Sequence, residues 1–433
     1  MRHLQMALAC LTVAVTTLIA ADWTGFRGPR RDGISSEKGL LRSWPKDGPK
    51  LLWKSESAGQ GYAGMAVVGG IVYTMGARGE DEYAIALDNT GKELWATKIG
   101  PVHDWEANSW SRGPNATPTV AGDRVFALSS KGDLLCANKA DGKELWRVSI
   151  SRDLNGEVNA VGGGIERFGW GYSWSPLVDG EQLVIVPGGK DGLFAALDVK
   201  TGKTLWRSTA VTDAATYSSP VVGTLAGVKQ YVYLTQQSLV GVSAKDGQLL
   251  WIHKRDEPYP DVVCPTPIIQ GDQVYISVGK GGGSELLKIT KEGDKFKATS
   301  VYSEKAIGNA QGGVILLDGT LYGYHENRNW AAQDFATGKL LWPTKRTRQG
   351  LKAGAILAAD GLLFAVVETG PEDPGIVGLM EASAKEYREL SQFTLPAASK
   401  KRKSQGAVWA YPSLSDGKLY VRDQEMIFCY QVK

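Results

Sequence analysis

Apolar and polar positions alternate along most of this chain with the two-residue period of a half-buried strand. One phrase keeps interrupting the alternation. It reads ALDNTGKELW at 86–95, CANKADGKELW at 136–146, ALDVKTGKTLW at 196–206, VSAKDGQLLW at 242–251 and DFATGKLLW at 334–342. Each copy is an apolar segment, a polar turn with a Gly, then Leu-Trp. The Gly supplies the positive φ that a tight hairpin turn needs, and the flanks predict two antiparallel strands with Leu and Trp on opposite faces. A second signature lies upstream of each copy: a small or Pro residue opening an apolar strand, as in ATPTV (116–120), WSPLV (174–178), SSPVV (218–222), PTPII (265–269) and YPSL (411–414). A Gly-Asp turn and a Val- or Tyr-rich strand follow. Four short strands in about 40–50 residues form the unit of a β-propeller blade.

The terminal tryptophans fall at Trp53, Trp95, Trp146, Trp206, Trp251 and Trp342. The interval from Trp251 to Trp342 is double the usual one, and a worn copy fills it: LKITKEGDKFKATS at 287–300, which keeps Gly293 and loses the Trp. Another worn copy is LMEASAKEYRELSQF at 379–393. The tail GAVWAYPSLSDGKLYVRDQEMIFCYQVK (406–433) supplies three strands and stops, while PKLLWKSES (49–57) supplies the missing fourth. The expected fold is therefore all-β, an eight-bladed β-propeller whose last blade is closed by an N-terminal strand. Closure leaves the sheet order without a gap.

Composition adds little to that architecture. Of 433 residues 53 are Gly and 14 are Trp, which suits a turn-rich repeat, and a formal charge of +3 points to no nucleic-acid partner. Residues 1–21 read as an export signal: Arg2 and His3, an apolar stretch, then Ala20-Ala21. No later segment is long and apolar enough to span a membrane. The expected organisation is a signal at 1–21, an extension at 22–48 and the propeller at 49–433, in a monomer that is periplasmic or extracellular. The extension, with turns at Arg27-Gly28-Pro29 and Arg31-Asp32-Gly33, is expected to run across the ring surface with its charges exposed. Cys136, Cys264 and Cys429 are expected on strands as small core residues. The run KKRK at 400–403 is expected to be a solvated loop between the last two blades.

Links from the outer strand of one blade to the inner strand of the next emerge on one face. Two of them are long and adjacent, 97–115 and 148–172, and the loop HENRN at 325–329 belongs to the same face. These segments carry the candidate ligand-binding residues Trp105, Trp110, Arg112, Arg167, Trp170, Tyr172 and His325. Long aromatic loops on a rigid ring serve either as a binding face or as lids plugging the channel. His103-Asp104 and His325-Glu326 set a base beside a carboxylate, but neighbours on a strand point apart. Gly162–Gly164 has no helix after it to make a phosphate cradle. No catalytic residue and no metal ligand is assigned.

The repeated A-x-D-x-x-T-G-K-x-x-W unit resembles the tryptophan-docking motif of quinoprotein-type, PQQ-repeat β-propellers. Within these, the chain is similar to exported single-propeller proteins of the BamB-like kind. Its FRGPRRDG and GLLRSWPKDGPKLLW segments and its LYVRDQEMIFCY tail resemble those of planctomycete-type bacteria. The resemblance implies that the six repeat tryptophans close on the neighbouring blade. It also implies two competing functions: a non-catalytic scaffold docking envelope proteins, or a PQQ- and Ca²⁺-dependent alcohol or sugar dehydrogenase. The second group stacks its quinone against a Trp and, in many members, an adjacent Cys-Cys disulfide, and this sequence has no neighbouring cysteines. A third reading is a carbohydrate- or small-ligand-binding propeller with Trp105, Trp110, Trp170 and Tyr172 as stacking faces. The scaffold is the leading expectation, with no cofactor.

Overall fold

The computed structural model describes residues 22–110, 112–161, 168–259, 262–325, 328–342 and 350–433, without the side chains of 325–329. Each copy of the repeat becomes one antiparallel sheet, and there are eight such sheets. Blades 1 to 7 run over 66–101, 119–149, 177–208, 221–254, 268–304, 315–334 and 354–394. Blade 8 takes 413–431 and, as its outermost strand, Leu51–Ser55, with Leu51 opposite Tyr430 and Ser55 opposite Ile427. The ring closes through that pairing. Among the described residues blade 6 has three strands, and blade 7 has five because Ile34–Ser35 pair in parallel with Ala358–Ala359.

The repeated turn has a local cause. Asp88, Asp198 and Asp334 each fold a carboxylate back onto the turn, accepting from the backbone and hydroxyl of Thr90, Thr201 and Thr337. The following Gly (φ +83° at Gly91, +71° at Gly202) sits beneath the indole of the preceding blade. Trp53 covers Gly91, Trp95 covers Gly142, Trp146 covers Gly202 and Trp206 covers Gly247, each so closely that a Cβ would collide with the ring. Glycine thus answers two demands, a left-handed φ and a flat seat. Trp95 and Trp146 also donate to the carbonyls of Lys139 and Val199, and Trp342 donates to Ser383 of blade 7. Blade 5 uses Tyr302 in place of the Trp: its ring covers Gly338 and its hydroxyl donates to Phe335 O at 3.0 Å. Trp251 lies over Gly241 of its own blade and donates to Gln230 at 2.6 Å.

The extension does not cross the surface. It enters the channel. Trp23 exchanges backbone bonds with Val67 of blade 1, and Thr24 O accepts from Val120 of blade 2. Arg31 donates to Ser175 O and Pro176 O ahead of blade 3, and Arg27 to Val314 O of blade 6. Gly33 O accepts from Ala358 of blade 7, and Phe26 packs edge-on against Tyr411 of blade 8. Six of the eight blades therefore grip this segment, at their inner strands or in the residues just ahead of them. Trp23 and Arg27 are each 2 % exposed, so the plug is core rather than coat. The turns expected at Arg27 and Arg31 are present, at φ 56° and 59°, but they serve to fold a loop inside the channel.

Two further expectations are corrected. The run 400–403 is only half solvated: Lys400 and Lys401 are exposed, but the Arg402 side chain, 1 % exposed, clasps Asp423 at 2.7 Å and donates to Gly370 O and Asp373 O, while Lys403 reaches Asp104 at 3.0 Å. The Arg402 guanidinium folds inward because its ion pair and carbonyl acceptors are geometrically complete. Cys136 and Cys429 are buried on strands, whereas Cys264 is half-buried and precedes its strand.

Candidate functional site

The strand openings on the inter-blade face are tied together by hydroxyls. Thr117 N donates to Ser175 Oγ at 2.9 Å, Ser175 N to Ser219 Oγ at 3.0 Å and Ser219 N to Thr266 Oγ1 at 3.4 Å. The Ser/Thr-Pro signatures noted in the sequence are thus a girdle running from blade 2 to blade 5. Above it lie the long links.

The link between blades 1 and 2 is braced by Asp104, whose carboxylate meets Arg112 Nε at 3.3 Å and Lys403 Nζ at 3.0 Å. Gln405 N donates to Ser109 O, and Tyr62 Oη to Trp110 O at 2.9 Å. Three separate stretches, 102–110 with Arg112, 57–63 and 395–412, are therefore locked into one face. Two aromatic groups stand on it. Trp105 packs 5.2 Å from Trp170 and 5.2 Å from His103, which in turn lies 5.7 Å from Phe168. Trp110 stacks 6.0 Å from Trp409, and Tyr62 sits 5.0 Å from the same indole. Trp110 is 42 % exposed, an unusual condition for a large indole.

Of the sequence candidates, the fold brings Trp105, Trp110, Arg112 and Trp170 onto this face. Arg112 is engaged by Asp104, Glu80 and Gly79 O. Tyr172 is fully buried, edge-on to Trp174 with its hydroxyl on Pro187 O, so it belongs to the core and offers no stacking face. Arg167 lies outside the described residues. His325 ends its strand opposite Arg328 on the same face, and its side chain is outside the described set. Trp409, Tyr62 and Phe168 were missed. Trp409 had a signal: it stands in a strand-opening segment, where no repeat tryptophan falls.

His103 and Asp104 do not form a pair. His103 is buried with Nε2 3.1 Å from Gly169 O, and burial lowers its pKa, whereas Asp104 faces the cations outside. Beneath them Glu82 has no exposed surface and accepts from Ser130 N at 2.8 Å. Burial pushes its carboxyl up to about 7.

Among the described residues no three His, Cys, Asp or Glu side chains gather as a cation would require. Cys136, Cys264 and Cys429 form no disulfide, and Trp23, Phe26 and Arg27 fill the channel. These residues do not fit a quinone held on a disulfide above a carboxylate-bound Ca²⁺. No helix among the described residues is long and apolar enough to cross a membrane.

Residues 80–344 match the family model described as outer membrane protein assembly factor BamB. The chain belongs to this family. Among BamB relatives, the protein of Moranella endobia (strain PCIT) is 25 % identical over 247 residues, covering 53 % of this chain and 56 % of its own. A polyvinylalcohol dehydrogenase of a Pseudomonas species is 23 % identical over 344 residues, covering 64 % and 53 %. The chain thus spans little more than half the length of these curated relatives. In three dimensions the quinohemoprotein alcohol dehydrogenase of Comamonas testosteroni superposes with a TM-score of 0.61 at 13 % identity, covering 95 % of this chain and 80 % of that one. That likeness shows the shared propeller. The resemblance to planctomycete-type sequences finds no support in these comparisons.

Proposed function

We propose that this BamB-family propeller is a non-catalytic scaffold, exported to the cell envelope, that docks partner proteins on the face carrying Trp110. The observation that carries the reading is a large exposed indole on a rigid mount: Trp110 projects from a link held by Asp104, Tyr62 and Gln405. Exposed aromatics on pre-organised surfaces anchor interfaces at low entropic cost. The plugged channel supports the same reading, because it leaves the loop face as the surface with variable chemistry.

A photo-crosslinking residue at position 110, introduced in the producing cells, tests this. Discrete adducts from position 110, absent when the same probe replaces Leu205 on the outer rim and lost on Trp409→Ala, are the expected result. Equal labelling from both positions would refute it. The quinoprotein dehydrogenase reading has its own measurement, calorimetry of the purified chain with PQQ in the presence and absence of Ca²⁺. Saturable, Ca²⁺-dependent heat would replace the scaffold reading.

A further inference from the structure

The two long links meet at one buried residue, Ser130, in the turn between the second and third strands of blade 2. Its hydroxyl donates to Gly113 O at 3.1 Å, at the end of the first link. Its carbonyl accepts from Tyr172 N at 2.9 Å, at the end of the second. Its amide donates across the seam to Glu82 Oε2 of blade 1 at 2.8 Å. One residue thus ties both links to one carboxylate. His103 adds a second tie: its ring holds Gly169 O through Nε2 at 3.1 Å, and its amide lies alongside the Glu82 carboxyl.

The surroundings of that carboxyl suit its neutral form. Asp133, on the third strand of blade 2, faces it and is itself buried, while Arg152 meets Asp133 at 3.2 Å from the solvent side. His103 brings no charge, because burial lowers its pKa and Lys131 beyond it opposes protonation. Among the described residues no ion pair reaches Glu82, and its second oxygen has no hydrogen-bond partner. A carboxyl buried in this way keeps its proton until water is admitted. Regular strands close the seam from below, with Glu82 opposite Gly100 and Asp133 opposite Ser149. Above it the cover is link: Gly171 is seated on Ser130 and against the His103 ring, and Gly113 is held by the Ser130 hydroxyl. Water therefore reaches Glu82 most cheaply by lifting the links.

We infer that Glu82 is a proton-operated clasp beneath the loop face: protonated, it closes the seam and holds both links through Ser130, and ionised, it draws water into the seam and loosens them. Trp110 and the Trp105–Trp170 pair ride on these links, so the clasp sets how rigid the docking face is. That consequence rests on the scaffold reading, whereas the motion itself belongs to the isolated chain. The carboxyl titrates at about 7, which places the change within reach of ordinary buffers.

The test is amide hydrogen exchange of the purified full chain, read by mass spectrometry and corrected for the intrinsic pH dependence of exchange. One linked group changes an opening equilibrium up to tenfold per pH unit beyond its own titration, so protection of 102–110 and 168–172 should fall about tenfold or more between about pH 6 and about pH 8.5. The second strand of blade 4, Val228–Leu234, should keep its protection over the same range. Glu82→Gln fixes the neutral shape and should hold both links protected at either pH. His103→Gln serves as the second variant and should leave the pH dependence in place. Protection of the links that is independent of pH in the parent would overturn the clasp, as would a pH dependence that survives Glu82→Gln or is removed only by His103→Gln. Crosslinking from position 110 reports docking and not this motion, so the two readings fail separately.

Discussion

Glu82 shows how much a single residue can carry in this ring. It sits at the seam of blades 1 and 2 with one carboxylate oxygen on Ser130 N and the other without a partner. A carboxyl that titrates at about 7 when folded and near 4.5 when unfolded holds its proton longer in the native state. Its favourable contribution is complete below pH 4.5 and fades as pH rises through 7. The gap corresponds to about 3 kcal/mol at pH 8. Glu82→Gln should therefore match the parent near pH 4 and exceed it by about 3 kcal/mol at pH 8, as read by urea unfolding at the two pH values. Parallel curves would mean that burial is not what sets this carboxyl. Nothing in the sequence marks Glu82, because its character comes from burial at a seam between two blades, which alternation along one strand does not reveal. The turn glycines were legible, since positive φ leaves a signature in residue type. Their second role, as seats for indoles, was not, because it depends on contact between blades.

At the scale of the element, the strands announced themselves by alternation and the N-terminal extension did not. Its residues obey no period because each touches a different blade: Trp23 meets Val67, Phe26 meets Tyr411 and Arg31 meets Pro176. A segment folded to fit a ring's axis has an aperiodic sequence, and aperiodic sequence reads as surface. The same logic hid Trp409 and Tyr62 and made Tyr172 look available. Loops can be ranked by length and aromatic content, but which aromatic faces outward is decided by packing. If the segment is core, Trp23→Ala should cost about 3–5 kcal/mol, as for other buried tryptophans. A surface strap would lose well under 1 kcal/mol on the same change. Thermal and urea melts of the variant separate the two outcomes.

For the whole molecule the decisive feature is closure, which the sequence predicted from a missing strand at one end and a spare one at the other. The outer pairing of Leu51–Ser55 with the last strand is only half of it. From the middle strand of blade 8, Arg422 passes fully buried into blade 1. It donates to Ala63 O at 2.8 Å, Thr74 Oγ1 at 2.6 Å, Met75 O at 2.7 Å and Gly59 O at 3.0 Å, and back to Gln424 O at 2.7 Å. Burial pulls its pKa down to about 9, so the guanidinium stays charged at neutral pH, balanced in part by Glu425 and Asp423. Arg422→Met keeps much of the volume but strands the carbonyls of blade 1 and removes the positive charge nearest Glu425, while Asp423 keeps Arg402. Losing one partner of a buried charged network costs about 3–5 kcal/mol. Because the seam is where the two chain ends meet, the loss should appear first as local opening there. Limited proteolysis should cut the link at 56–65 in Arg422→Met while the parent remains intact, and the urea midpoint should fall with it. A lowered midpoint without cleavage in that link would instead make Arg422 a general core residue, and the closure of the ring would then rest on strand pairing alone.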